Sequence, residues 1–139
     1  RFSYKAAVRQ AENLLEKVGL DPNLGNAYPF QLSGGMQQRI LIAISIGLNP
    51  KILIADEPTT GLDPLTKLHI LNLIRSLKQE QGMGILFISH DLRAISHVAE
   101  TMGIIHNGHL IESGNIAEIM ASPQEAYTRE LVKTVDLIG

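Results

Sequence analysis

The chain has no cysteine and no tryptophan, and aromatic residues make up only 4% of its 139 residues. Without cysteine, neither a disulfide framework nor a thiolate metal site is possible, and the lack fits a reducing compartment. No apolar run approaches the roughly 18 residues of a membrane-spanning helix, and no charged-then-apolar signal segment opens the sequence. Any link to a membrane is therefore expected to run through another protein. The formal charge is −2, with acidic and basic residues interspersed, which argues against a basic nucleic-acid-binding face. Also missing is any Gly-Lys pair, and with it the G-x-x-x-x-G-K-[ST] phosphate loop. What remains, 45% hydrophobic and 19% charged residues, is enough for a real core and places the chain as one domain or a large piece of one.

Strands alternate with helices along the chain, the pattern of an α/β domain. Val8, Ala11, Leu15 and Val18 recur at helical spacing, with Ser3 placed to cap the start and Gly19 the end. Asp21-Pro22 opens a loop that runs through Gly25 and Pro29. Ser33 caps an expected second helix over 34–48, whose many Ile, Leu and Ala residues point to deep burial and which Asn49-Pro50 stops. Ile52 to Ala55 is a continuous apolar run, the pattern of a parallel strand covered on both faces. Asp63-Pro64 starts a helix expected to reach Gln81, before Gly82 and Gly84. Ile85 to Ile88 reads as a second buried strand, and Asp91 opens a short helix. Asn107-Gly108 marks a tight hairpin, with His106 and His109 on a solvated turn. The tail from Asn115 to Val135 reads as two short helices broken at Pro123.

Two stretches carry chemistry. In Leu32-Ser33-Gly34-Gly35-Met36-Gln37-Gln38-Arg39, two glycines and a serine stand at a helix start. The first backbone N–H groups there lack intrahelical partners and suit an anion, and the Ser33 hydroxyl can donate as well. Paired glycines in a first helical turn are costly without a reason. In Ile52-Leu53-Ile54-Ala55-Asp56-Glu57, two adjacent carboxylates leave a strand at its carboxyl end, where ligands sit in open α/β sheets. They project differently, so each can do a separate job. His90, in Ser89-His90-Asp91, follows the second strand in the same layer.

Leu32 to Gln38, Ile52 to Glu57, Gly61-Leu62-Asp63 and Ser89-His90-Asp91 occur in the order of the signature, Walker B, D-loop and switch histidine of ABC-type ATPases, and the chain resembles the C-terminal part of that family over essentially its whole length. The resemblance implies a partial P-loop NTPase fold: a mainly parallel sheet with flanking helices and a C-terminal hairpin, the P-loop strand absent. Residues 1–50 would be the helical subdomain portion ending in the signature helix, and 51–139 the C-terminal part of the ATPase core. It implies ATP and Mg²⁺ as ligands. Asp56 would hold Mg²⁺ through water, Glu57 would polarise the attacking water, and His90 would contact the γ-phosphate. Ser33, Gly34 and Gly35, with Gln37 (and Gln31) in their neighbourhood, would complete the site of a second ATPase subunit, and Asp63 would cap its helix and reach across that interface. Tyr28-Pro29-Phe30-Gln31, Ala55-Asp56-Glu57-Pro58-Thr59-Thr60 and Ala126-Tyr127-Thr128-Arg129-Glu130-Leu131 are similar to ATPases of peptide and nickel importers, although Ala126 stands where that family usually has proline. Transmembrane permease subunits as partners, and a peripheral place on the cytoplasmic face of the cell membrane, follow from that resemblance.

The lysine-bearing loop, the adenine-stacking aromatic and the Gln of the Q-loop have no counterpart in the sequence. By resemblance, the P-loop strand belongs between the strand ending at Ile88 and the one starting near Met102, so a gap with exposed apolar faces is expected in the sheet. A shortened product, a portion of a longer protein and half of a split subunit would each account for it. Two other classes of function remain open on the sequence: a non-transport ABC ATPase acting in DNA repair or translation, and a non-catalytic interaction fragment.

Overall fold

A computed structural model describes residues 3–137. The chain divides into two compact units, Arg1–Leu86 and Phe87–Gly139.

In the first unit Ser3 starts α1 (Tyr4–Lys17) by accepting the Ala6 N–H at 3.3 Å. The helix closes on Gly19 at φ +72, where Leu20 N–H reaches Leu15 O and Gly19 N–H reaches Glu16 O, each at 2.9 Å. Of the expected apolar stripe, Leu15 and Val18 are buried, but Val8 and Ala11 are exposed. The contacts that bury α1 fall on its second half: Leu14 lies against Gly47 and Leu15 against Gly25. The loop that follows carries two short 3₁₀ turns, Pro22–Asn26 and Pro29–Gln31.

The second helix, α2 (Gly34–Ile46), packs on α1 and on α3 (Pro64–Gln81). Its expected deep burial holds on one side only: Ile42, Ala43 and Ile46 are buried, whereas Leu41 and Ile44 face solvent. Arg39, on α2, donates from Nη1 to Val18 O at 3.0 Å and Gly19 O at 3.4 Å, placing a cation on the carbonyl end of α1. Asp63 and Pro64 start α3 as expected, and Gly82 ends it at φ +60. The inward side of α3 supplies Ile70, Ile74 and Leu77, the most deeply buried side chains of the unit together with Val18 and Ile46.

Strands β1 (Ile52–Asp56) and β2 (Gly84–Ile88) pair in a two-stranded sheet connected through α3. The apolar pattern of both suits cover on two faces and the missing P-loop strand suits exposed apolar faces; neither strand is covered on both. In β1, Leu53 and Ala55 are buried while Ile52 and Ile54 are 65% and 64% exposed. In β2, Leu86 and Ile88 are exposed as well. Side chains alternate across a strand, so one covering layer buries every second residue and leaves the others bare. Among the described residues only one such layer is present.

In the second unit Asp91 caps α4 (Leu92–Val98), its Oδ1 accepting Arg93 N–H at 2.9 Å and Ala94 N–H at 3.2 Å. Strands β3 (Thr101–His106) and β4 (His109–Asn115) form an antiparallel hairpin. Asn107 and Gly108 turn it with φ of +49 and +77, the backbone of a type I′ turn. The register slips between Ile104 and Ile105, which leaves Ile111 as an extra residue on β4. Helices α5 (Ile116–Ala121) and α6 (Ala126–Leu137) are the two expected pieces of the tail. Leu92, Met102, Ile104, Ile116, Ile119 and Val132 make one closed core. Of the turn histidines His109 is exposed, as expected, whereas the His106 ring stacks on Tyr127 with centroids 3.9 Å apart.

Candidate functional site

The site in the first unit is built on two helix starts and the segment joining β1 to α3. Ser33 caps α2 with its hydroxyl accepting Met36 N–H at 3.3 Å, while its carbonyl accepts Gln37 N–H at 2.9 Å. Gly34 and Gly35 therefore occupy the first turn, where backbone N–H groups have no intrahelical acceptor and carry the positive end of the helix dipole.

The two glycines differ in a way the sequence does not display. Gly34 is exposed, and a Cβ there would only touch Leu62 Cδ2 at 3.5 Å, an ordinary contact. Gly35 is buried, and a Cβ there would overlap Thr66 Cγ2 in the first turn of α3. Close approach of two helices thus demands glycine at 35, independently of any phosphate. Thr66 is also the residue that Asp63 caps: its N–H donates to Asp63 Oδ1 at 3.0 Å. The Thr66 hydroxyl, and after it that N–H, holds the Asp63 carboxyl below the usual aspartate range. Ser33, Gly34 and Gly35 are in this way packed beside the Leu62–Thr66 segment, with the starts of α2 and α3 adjacent.

At the other end of the segment, Asp56 is the last residue of β1 and is exposed. Glu57 adopts a left-handed backbone at φ +46 and is half-buried. Such a conformation is sparsely populated for a residue with a Cβ and recurs at functional sites. Thr60 N–H closes the turn by donating to Glu57 O at 3.2 Å, and Thr60 Oγ1 donates to the carboxylate, reaching Glu57 Oε2 at 2.8 Å. Pro58 and Thr59 between them are buried, and Gly61, at φ +76, redirects the chain toward Asp63.

Gln37 turns toward protein: its Nε2 donates to Pro29 O at 2.8 Å and to Leu32 O at 3.3 Å. Gln31 Oε1 accepts Tyr28 N–H at 2.8 Å, so two glutamines set the shape of the loop leading into Ser33. His90 belongs to the second unit, in the exposed turn between β2 and α4, and Asp91 N–H donates to Ser89 Oγ at 3.2 Å beside it. Among the described residues no group of three or more His, Asp or Glu side chains could by itself hold a metal ion. Mg²⁺ characteristically binds one or two carboxylates and completes its shell with phosphate oxygens and water, so the single exposed Asp56 fits it only as one ligand among several.

Sequence reasoning missed Thr60, Thr66, Arg39 and Glu112. The Glu-x-x-Thr spacing from 57 to 60 is a local signal that could have found the first. The roles of Thr66 and Arg39 arise where separate helices meet and leave no local trace. Glu112, on β4, accepts Gln124 N–H at 2.9 Å on Oε1 and Glu125 N–H at 3.1 Å on Oε2, just before α6. The Gln124 N–H above all keeps its carboxyl below the usual glutamate range.

Residues 3–60 match the family model described as ABC transporter. The chain is 40% identical over 141 aligned residues to the glutathione import ATP-binding protein of Pectobacterium atrosepticum, covering 100% of this chain and 23% of that protein. It is 36% identical over 135 residues to a putative oligopeptide transport ATP-binding protein of Bacillus subtilis, covering 97% of this chain and 41% of the relative. Among solved structures it is similar to a dimeric ATP-binding cassette in a post-hydrolysis state bound to ADP and Pi, with a TM-score of 0.73 and 30% identity over 84% of this chain and 50% of that one. The chain spans less than half the length of these sequence relatives. By the family match over residues 3–60, by relatives aligned along the whole sequence and by a shared fold, the chain is similar to ABC-type ATP-binding proteins.

Proposed function

We propose that the chain is the signature-to-switch part of an importer ATPase that couples ATP hydrolysis to the uptake of peptides or nickel-type metal complexes. The observation that carries this reading is the exit of β1: two adjacent carboxylates, one at the strand end and the next in a strained left-handed turn braced by Thr60. Asp56 would hold Mg²⁺ through water, and the ion when bound neutralises charge on the phosphate oxygens. Glu57 orients the attacking water and accepts its proton. Ser33, Gly34 and Gly35 present N–H groups and a hydroxyl to the γ-phosphate bound on a second ATPase subunit. Gln37 fixes the loop that delivers Ser33, Asp63 reaches toward the same interface, and His90 would contact a γ-phosphate. Residues 1–50 correspond to the helical subdomain portion and 51–139 to the C-terminal part of the core.

The lysine-bearing loop has no counterpart in this sequence; its strand would extend the sheet, and the helix after it would cover the bare face of Ile52, Ile54, Leu86 and Ile88. Permease subunits would be the membrane partners and would place the protein at the cytoplasmic face. No described helix is long and apolar enough to cross a membrane. The relatives named for glutathione import and oligopeptide transport favour peptides as cargo.

In the full-length subunit, Glu57→Gln should reduce ATP hydrolysis by about 10²- to 10⁴-fold, the range of a lost general base. ATP binding should persist. Asp56→Asn should instead weaken Mg²⁺-dependent nucleotide binding. Calorimetric titration with Mg-ATP beside phosphate-release assays separates the two, and indistinguishable binding defects would refute the division of labour.

A further inference from the structure

We infer that Thr60 is a positioning residue for Glu57, holding the carboxylate in the direction the reaction needs. This rests on the reading of Glu57 as the group that orients the attacking water. Thr60 is exposed, so its side chain has little packing to do. Its hydroxyl donates to Glu57 Oε2 at 2.8 Å, and its N–H donates to the Glu57 carbonyl at 3.2 Å. The two bonds act on different parts of one residue. The backbone bond closes the turn that carries Glu57 at φ +46, and the hydroxyl bond fixes the side-chain torsions beyond it. A hydroxyl bonded to an ionised carboxylate is among the stronger hydrogen bonds and directional. With one oxygen fixed, the direction of the other is set, and reactivity is steep in such placement: a displacement of about 1 Å costs on the order of 10² in rate.

The turn around this pair is firm where it needs to be. Pro58 and Thr59 are buried, so the backbone of the turn does not depend on the Thr60 side chain. The geometry therefore assigns the hydroxyl an effect on the carboxylate rather than on the fold. Threonine and serine can both supply that donor, and valine has threonine's shape without it.

The test uses the full-length subunit with Thr60→Val, Thr60→Ser, Glu57→Gln and the Thr60→Val/Glu57→Gln pair, each measured for kcat, KM for Mg-ATP and nucleotide Kd. Thr60→Val should lower kcat about 10- to 100-fold with KM and Kd unchanged. Thr60→Ser should stay within about threefold of the parent. In single-turnover measurements Thr60→Val should add nothing to Glu57→Gln, since groups that act as a unit are not additive. An unchanged kcat in Thr60→Val, an equal loss in Thr60→Ser, a loss carried by KM, or full additivity with Glu57→Gln would each overturn the inference. Should Glu57→Gln itself hydrolyse ATP normally, the catalytic reading of Glu57 falls instead. A dead Glu57→Gln beside a normal Thr60→Val removes Thr60 alone.

Discussion

The two units solve the same problem with sheets of the same burial rhythm, and they end differently. Strands β1 and β3 both alternate exposed and buried residues. In β3 the inward Met102 and Ile104 meet a core closed by Leu92 of α4, Ile116 and Ile119 of α5 and Val132 of α6. Its outward residues are Thr101, Gly103 and the exposed Ile105, and the exposed Leu110 lies across Gly103, close enough that a Cβ there would meet its Cδ1 at 2.8 Å. The hairpin partly covers itself. The sheet of β1 and β2 has no such device: its outward row is Ile52, Ile54, Leu86 and Ile88. A row of that composition is written for a second covering layer, as in parallel sheets packed on both faces. The second unit closes a core on one face of its hairpin and leaves Ile105 and Leu110 exposed on the other, while the first leaves a whole row of four bare.

That contrast can be broken most directly by core truncation. Ile74→Ala in the first unit and Ile104→Ala in the second should each cost about 2–5 kcal/mol of unfolding free energy in the 139-residue chain. Ile54→Ala, on the bare face, should stay within about 0.5 kcal/mol. Urea unfolding of the three variants gives the answer. A cost at Ile54 equal to that at Ile74 would mean the face is covered and the comparison mistaken. Run in the full-length subunit, the same Ile54 substitution should become severe, which is how the proposed covering layer is tested.

A smaller effect probes the packing of the two helix starts. Gly35→Ala should destabilise by about 1–3 kcal/mol through overlap with Thr66, and Gly34→Ala by less, having only ordinary contact with Leu62. Thr66→Ser removes the obstructing methyl while keeping the hydroxyl. In a double-mutant cycle it should therefore recover part of the Gly35→Ala loss. Additive effects would show that the closeness of α2 and α3 is not what requires glycine at 35.

Local grammar explains which parts of the molecule were legible. Ser3, Asp63-Pro64, Gly82 and Asn107-Gly108 act within a few residues of themselves, so helix starts, stops and the hairpin turn follow from the sequence directly. The order of the four motif stretches is likewise a property of the chain. Burial was less legible. A continuous apolar run states that a strand can be covered on both faces, and the structure of this segment supplies one cover, so Ile52 and Ile54 emerged bare. Gly34 and Gly35 look alike in sequence, and only the approach of Thr66, 31 residues beyond Gly35, tells them apart. Gln37 was expected near the nucleotide, yet its amide is committed to Pro29 and Leu32, a bond made possible by the loop's turn at Pro29–Gln31.

The smallest expected effects compare one capping carboxylate from each unit, Asp63 exposed and Glu112 half-buried. Asp63 and Glu112 both titrate below their ordinary values of 3.8 and 4.5, so each stabilises the folded state fully above that value and loses its contribution as pH falls through the lower, folded one. Their wiring differs. Asp63 caps its own helix three residues on, taking the Thr66 N–H on Oδ1 beside the Thr66 hydroxyl. Glu112 uses both oxygens, on Gln124 and Glu125, and so ties the hairpin to the start of α6 across twelve residues. Asp63→Asn keeps a carbonyl oxygen for Thr66 and should shift Tm little at neutral pH. Glu112→Gln keeps one acceptor of two and turns an NH₂ group toward a backbone N–H, so its Tm should fall further. The gap between parent and Glu112→Gln should hold from pH 7 down to about 5 and close as the parent carboxylate is protonated below 4.5. Thermal unfolding across pH 3–7, followed by circular dichroism, reads both. An Asp63→Asn loss larger than that of Glu112→Gln, or a gap that widens on acidification, would show that the cross-hairpin tie is not what the second unit gains from Glu112.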